Sequence, residues 1–175
     1  MDVPAGQRTF ERESLDPHCL SDEEAGRLLA GAPWTRFLVV GDSIAEGLGE
    51  KSPGYRELAW AQRVARALQR QQPDGFDFVN LGRRDLVIAE VRKQQLPAAV
   101  EFRPDLALVI AGGNDILRPA FDNGAQVQAD FDEIVTTLQA TGAEVLTSTM
   151  FDHRGHAIAA SGAIRRLGER LGNTG

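Results

Sequence analysis

Short apolar runs alternate with amphipathic segments along most of the chain. Apolar runs cover 37–40 and 76–81, and two more begin at 106 and 143. The first is apolar on both faces, which is typical of a central parallel strand. Apolar residues recur at helical spacing in 56–72, 86–95 and 127–140, and the residues from about 163 onward are also predicted to be helical. This alternation predicts an α/β fold with a parallel sheet.

The first 32 residues are predicted to precede the main domain as an N-terminal arm and a short capping helix. Residues 1–17 have the composition of a loose polar arm. Ser21 and Glu24 have the spacing of a capping box, so a short helix is expected to begin there. Farther along, Pro97 is expected to open a new turn or helix after the segment 86–95. Residues 33–175 are predicted to form a single domain.

Composition excludes several classes of function. The chain has 175 residues with a net charge of −6, and no basic face indicates nucleic-acid binding. Neither a hydrophobic leader nor a run of 18 apolar residues occurs, so we expect no membrane span and a cytoplasmic location. Cys19 is the single cysteine, which excludes an intrachain disulfide and a cysteine metal cluster.

Polar residues follow each predicted strand at the edge where parallel sheets bind their ligands. These residues are Gly41-Asp42-Ser43, the segment 80–85, the segment 112–115 and the segment 151–156. The glycine motifs of phosphate-binding loops do not fit, because Glu50 stands where a P-loop requires glycine. A phosphate-binding domain is therefore disfavoured, and we expect no cofactor.

Ser43 and Asn114 are the side chains at this edge that suggest a reaction. A serine at the start of a helix can act as a nucleophile whose oxyanion product is stabilised by nearby N–H groups. Alternatively, Asp42 or Ser43 only caps that helix. The Asn114 amide can donate to a developing oxyanion, and the glycines before it let a substrate approach the backbone, although "GGND" is also a common turn sequence.

Three blocks of the sequence resemble the SGNH (GDSL) family of serine esterases and lipases. They are "VVGDSIAEGLGE", "VNLGRRDL" and "VIAGGNDILRP", and the resemblance runs from about residue 33 to the C-terminus. It implies a three-layer α/β/α, flavodoxin-like fold with strand order 2-1-3-4-5. It also implies a carboxylic-ester hydrolase that acts on a small-molecule acyl ester through an acyl-enzyme. By position, Ser43 would be the nucleophile, and its N–H and the Asn114 amide would be oxyanion donors. We expect no cofactor and no metal.

The second block departs from the family pattern. The family has a glycine five residues after the asparagine that closes the second strand, and its N–H completes the oxyanion hole. Counting from Asn80 places Asp85 at this position, whereas Gly82 lies closer to Asn80. A carboxylate beside a developing negative charge opposes it. The backbone N–H of either Asp85 or Gly82 is therefore the candidate for the third donor.

The catalytic base is a second departure. The family carries an Asp-x-x-His block late in the chain, and this sequence contains no such block. His153 and His156 in "FDHRGH" are candidates for a substitute base, and His18 is the remaining histidine. A serine without a base is a weak nucleophile. The alternative function is therefore a catalytically impaired or inactive remnant that acts only in ligand or partner binding.

The sequence stops before the family's fifth strand and final helix, so we expect a domain that is incomplete at its C-terminus. The fourth strand would then be a sheet edge with unpaired backbone groups. Self-association through this exposed strand is the predicted consequence.

Overall fold

The computed structural model describes residues 10–49, 51–72, 74–118 and 124–148. Four parallel strands form one sheet with the order β2-β1-β3-β4. The strands are β1 (Arg36–Gly41), β2 (Asp77–Asn80), β3 (Leu106–Ile110) and β4 (Glu144–Thr147). The helices are α1 (Glu11–Leu15), α2 (Asp22–Leu28), α3 (Ser43–Glu46), α4 (Trp60–Gln69), α5 (Ile88–Phe102), α6 (Gly113–Leu117) and α7 (Gly124–Ala140).

Helices cover the sheet on both faces, so the predicted three-layer architecture is confirmed. Alternate residues of β1 point to opposite sides, as strand geometry requires. Leu38 and Val40 pack with α5 and α7, while Phe37 and Val39 pack with α3 and α4. All four side chains are fully buried. The strand order of the described sheet is also the one that the resemblance implied.

The N-terminal arm is more ordered than its polar composition predicts. The capping box of Ser21 and Glu24 is present and opens α2, as expected. The prediction of a loose arm is wrong for residues 11–15, which form α1. The physical reason is Glu13, a buried carboxylate that forms ion pairs with Arg56 and Arg63.

Pro97 does not open a separate element, contrary to the prediction. It lies inside α5, which continues to Phe102. Proline removes one intrahelical hydrogen bond, normally accepted by the carbonyl four residues earlier. Here both Pro97 and Lys93 are exposed, so water can solvate the Lys93 carbonyl.

The fourth strand is the last strand of the described sheet. Leu146 of β4 is 46% exposed, which agrees with the expectation of an apolar edge. Self-association through β4 stays a prediction. Among the described residues, no helix is long and apolar enough to cross a bilayer.

Candidate active site

The ends of β1 and β3 place Ser43 and Asn114 on neighbouring strands. Gly41 is the register partner of Ile110, and the Asp42 N–H donates to the Ile110 carbonyl at 3.1 Å. Ser43 begins α3 directly after β1, and Asn114 is the second residue of α6 after β3. The two predicted residues therefore follow adjacent strands at the same edge of the sheet.

Asp42, rather than Ser43, caps α3. Its Oδ1 accepts from the Ile44 N–H at 3.0 Å. Because Ser43 is the first helical residue, its N–H has no intrahelical acceptor. Within the described part of the chain, the Ser43 hydroxyl has no hydrogen-bond partner. As far as the described residues are concerned, both groups are available for another interaction.

Two glycines let the backbone close tightly around α3. Gly41 has φ 144°, and a Cβ added to it would lie 1.7 Å from the Ile110 carbonyl oxygen. A Cβ on Gly82 would lie 2.4 Å from the Glu46 nitrogen. Atoms cannot approach this closely, so a side chain at either position would displace the backbone next to Ser43.

The loop after β2 is attached to α3 by side-chain hydrogen bonds. Asn80 donates from Nδ2 to the Ala45 carbonyl at 2.9 Å, and Glu46 accepts from the Arg84 N–H at 2.7 Å. These bonds hold the second block of the sequence against the first. Their residues follow different strands, so the sequence pattern did not indicate either bond.

Gly82 and Asp85, the two candidates for the third oxyanion donor, differ in their backbone environment. The Gly82 N–H donates to Asn80 Oδ1 at 2.8 Å. Asp85 is exposed and has φ 67°, a left-handed conformation that glycine adopts most readily. No acceptor for the Asp85 N–H is present in the described segments. Of the two N–H groups, that of Asp85 is therefore the one without a hydrogen-bond acceptor among the described residues.

Asn114 attaches the third block to the end of the second, and Asp115 attaches it to the start of α5. Asn114 donates from Nδ2 to the Leu86 carbonyl at 2.9 Å, and Asp115 Oδ2 accepts from the Ile88 N–H at 2.9 Å. A primary amide carries two N–H donors, so the bond to Leu86 uses one and orients the other. Together these bonds connect all three blocks at the carboxyl edge of the sheet.

Asp42 and Asp115 lie in an environment that disfavours their negative charge. Burial raises the pKa of the Asp42 carboxyl, and the charge of Asp115 raises it further. Burial is also the main cause that raises the pKa of Asp115. The hydrogen bonds from Ile44 and Ile88 act in the opposite direction and lower these pKa values. Each carboxylate is thus held by backbone N–H groups in a poorly solvated setting.

The two histidine candidates for the base lie outside the described part of the chain. They are His153 and His156, and Asp152 lies outside it as well. His18 lines a cavity of about 460 Å³ between α2 and α4, where Cys19, Leu58 and Val64 are among its neighbours. The identity of a base stays a prediction.

Sequence reasoning missed Gln95, a buried polar residue of α5. Its side chain contacts the backbone of Gly41 with two hydrogen bonds. A signal was present: residues 88, 91, 95 and 99 form the buried stripe of α5, and position 95 carries its one polar side chain. A polar residue within an apolar stripe indicates a specific buried partner.

Comparison with known proteins identifies the class of the protein. The model of the GDSL-like lipase/acylhydrolase family matches residues 39–173. The chain therefore belongs to the GDSL-like lipase/acylhydrolase family. No curated protein sequence matches it.

Several solved structures share the fold. TesA is 27% identical with a TM-score of 0.52, and the alignment covers 79% of this chain and 73% of TesA. A variant of Axe2, an acetyl xylan esterase from Geobacillus stearothermophilus, is 19% identical with a TM-score of 0.57, over 83% of this chain and 73% of that one. The acetyl xylan esterase AlAXEase is 17% identical with a TM-score of 0.55, over 79% and 71%.

Proposed function

We propose that this protein is a serine hydrolase that cleaves a small acyl ester through an acyl-enzyme on Ser43. The observation that carries the proposal is the arrangement of the two strand ends. It leaves the Ser43 hydroxyl unpartnered among the described residues and anchors the Asn114 amide through one of its two N–H groups. Family membership supports the same reaction class.

In the proposed reaction, Ser43 Oγ attacks the carbonyl carbon of the ester and its proton passes to a base. The carbonyl oxygen becomes an oxyanion, which then re-forms the carbonyl as the alcohol leaves with the proton. Water attacks the acyl-enzyme in the same way, releasing the acid and restoring the serine. His153 and His156 are the candidates for the base.

The oxyanion is expected to receive three hydrogen bonds. The donors are the Ser43 N–H, the second N–H of the Asn114 amide and a backbone N–H of the loop after β2. For the last we favour Asp85 over Gly82, because the Gly82 N–H already donates to Asn80. The left-handed conformation of Asp85 is also the one expected where the family has glycine.

Hydrolysis of p-nitrophenyl acetate by the purified protein tests the proposal. Ser43→Ala should abolish turnover, since loss of the nucleophile costs about 10⁶-fold in a comparable triad. Ser14→Ala, which removes an exposed hydroxyl from α1, is the matched control and should keep the wild-type rate. A fluorophosphonate should label the wild-type protein on Ser43 and leave Ser43→Ala unlabelled. Equal rates for wild type and Ser43→Ala would refute the proposal.

The second candidate is a site that binds an acyl ligand without turnover, which applies if no base acts on Ser43, since a serine without a base is a weak nucleophile. A wild-type protein that hydrolyses nothing, but whose Ser43 amide resonance shifts when an acyl ester is added, would support it.

If turnover is present, His153→Ala and His156→Ala should identify the base, because removing a base costs far more than removing a solvated histidine. A cytoplasmic location stays a prediction.

A further inference from the structure

Gln95 holds the backbone of Gly41 with both ends of its amide. The Gly41 N–H donates to Gln95 Oε1, and Gln95 Nε2 donates to the Gly41 carbonyl, each at 2.8 Å. Gln95 is 5% exposed, in the middle of α5. A buried amide that satisfies a donor and an acceptor of one residue forms a reciprocal clasp, which we call the Gln95–Gly41 clasp.

The clasp replaces sheet pairing that β2 does not supply. β2 pairs with β1 only as far as Val39 and Asn80. Two residues later, the Gly41 carbonyl still accepts from the Arg83 N–H at 3.1 Å, but the buried Gly41 N–H faces the same side beyond the end of β2. Without Gln95 this N–H would lose its acceptor, which is costly in a buried position.

The nucleophile lies two residues beyond the clasp. Gly41 is held by Gln95 on one side and is paired with Ile110 of β3 on the other. The next residue, Asp42, donates its N–H to Ile110 and caps α3. Little backbone freedom is therefore left between Gly41 and Ser43.

We propose that Gln95 is a positioning residue for the nucleophile: by fixing Gly41 it sets the place of Ser43 relative to the oxyanion donors. The inference rests on the proposed function of Ser43. A primary amide suits this role because it donates and accepts at once and is neutral at every pH. A carboxyl group can do the same only while it is protonated.

Gln95→Leu removes both hydrogen bonds at similar side-chain size. We expect kcat for p-nitrophenyl acetate to fall about 10- to 100-fold, because displacement of a catalytic group by about 1 Å has effects of this size. KM should change less than about twofold, since the substrate does not contact Gln95. Val91→Ala, a buried change in the same helix that leaves the clasp intact, controls for general destabilisation and should keep kcat.

Gln95→Glu gives a readout that a merely structural role would not produce. Its protonated carboxyl can form both bonds of the clasp, whereas the ionised form cannot donate to the Gly41 carbonyl. The ratio of its kcat to that of the wild type should therefore be close to one at low pH and fall as the introduced carboxyl ionises. The carboxyls of Asp42 and Asp115 and the Arg92–Asp130 ion pair, which lie near Gly41 or on elements packed against α5, are present in both proteins, so their effects largely cancel in this ratio.

The amide proton resonance of Ser43 separates failure of this inference from failure of the proposed function. In Gln95→Glu it should move with pH along the same transition as kcat. If the wild type shows no turnover but the resonance moves, the proposed function fails and the positioning role stands. An active wild type with a flat kcat ratio and a stationary Ser43 resonance would overturn the inference, as would an unchanged kcat in Gln95→Leu.

Discussion

Two regions bury carboxyl groups in opposite ways: the carboxyl edge of the sheet, and the N-terminal anchor, in which Glu13 of α1 pairs with Arg56 and Arg63. In the anchor, Glu13 accepts hydrogen bonds from Arg63 and Arg56, and these lower its pKa to about 2. At the sheet edge, Asp42 and Asp115 accept from backbone N–H groups, and burial raises their pKa values. The first arrangement favours the ionised carboxylate, whereas the second disfavours it.

The comparison indicates that the anchor contributes to stability and that the sheet edge contributes to reactivity. Ion pairs of Glu13 attach α1 to Arg56 in the loop before α4 and to Arg63 in α4 itself, where no reaction is proposed. Around Ser43, by contrast, the backbone is held by the side-chain amides of Asn80, Gln95 and Asn114 together with carboxylates that accept from backbone N–H groups. Neutral amides fix geometry without adding a field that would compete with a developing oxyanion. Changes in the anchor should therefore affect folding, and changes at the edge should affect turnover.

The largest effect is expected for Asn114→Ala. It removes the proposed oxyanion donor, so kcat should fall about 10²- to 10³-fold in the p-nitrophenyl acetate assay. Asn80→Ala is the matched control, because it also removes an amide that donates to a backbone carbonyl near Ser43. Its loss of kcat should be clearly smaller, and similar losses in the two variants would contradict a special role for Asn114.

Glu13→Gln should produce the reverse result, with lower stability and unchanged kcat. Removing one partner of a fully buried ion pair costs about 3–5 kcal/mol, and the partly exposed arginines reduce this to about 2–3 kcal/mol. Urea unfolding measures the change. Lys51→Gln, which removes one partner of an exposed ion pair, should cost no more than about 1 kcal/mol. A loss of kcat in folded Glu13→Gln would contradict the statement that the anchor affects folding and not turnover.

The pH dependence of the free energy of unfolding gives the smallest effect. Its slope should have opposite signs for the carboxyl groups of the two regions. The folded pKa of Glu13 is depressed, so its contribution is full above the unfolded pKa of 4.5 and is lost as the pH falls toward about 2. The stability difference between wild type and Glu13→Gln should shrink over this range.

The expected sign is opposite for Asp115→Asn. Its folded pKa is raised above 3.8, so the ionised form costs stability, and this cost appears as the pH rises through the folded pKa. Asparagine can still accept from the Ile88 N–H, so the variant should gain stability relative to wild type as the pH rises. Thermal unfolding from pH 2 to 7 measures both differences. Slopes of the same sign would show that the two carboxyl environments do not differ as described.

Local patterns in the sequence were sufficient for the fold and for placing Ser43 and Asn114 at the ends of neighbouring strands. Buried strands such as β1 appear as apolar runs, and the capping box of Ser21 and Glu24 lies within four residues. Parallel strands present their carboxyl ends at one edge, so Ser43 and Asn114 could be assigned to the same edge. One prediction failed because residues distant in sequence determine the local structure: Glu13 pairs with arginines and thereby orders α1. The other failed because the sequence did not show that the helix is exposed to solvent at Pro97, which lets α5 continue.

The sequence by itself determined the parallel α/β architecture, the position of Ser43 after β1 and that of Asn114 after β3. Only the tertiary structure decided that Asp42 caps α3, that the Gly82 N–H is already occupied and that Gln95 holds Gly41. The physical reason is the distance along the chain between the residues that interact. Hydrophobic periodicity and turn chemistry act between residues a few positions apart, whereas the Gln95–Gly41 clasp joins residues 54 positions apart and exists only once α5 packs on the sheet.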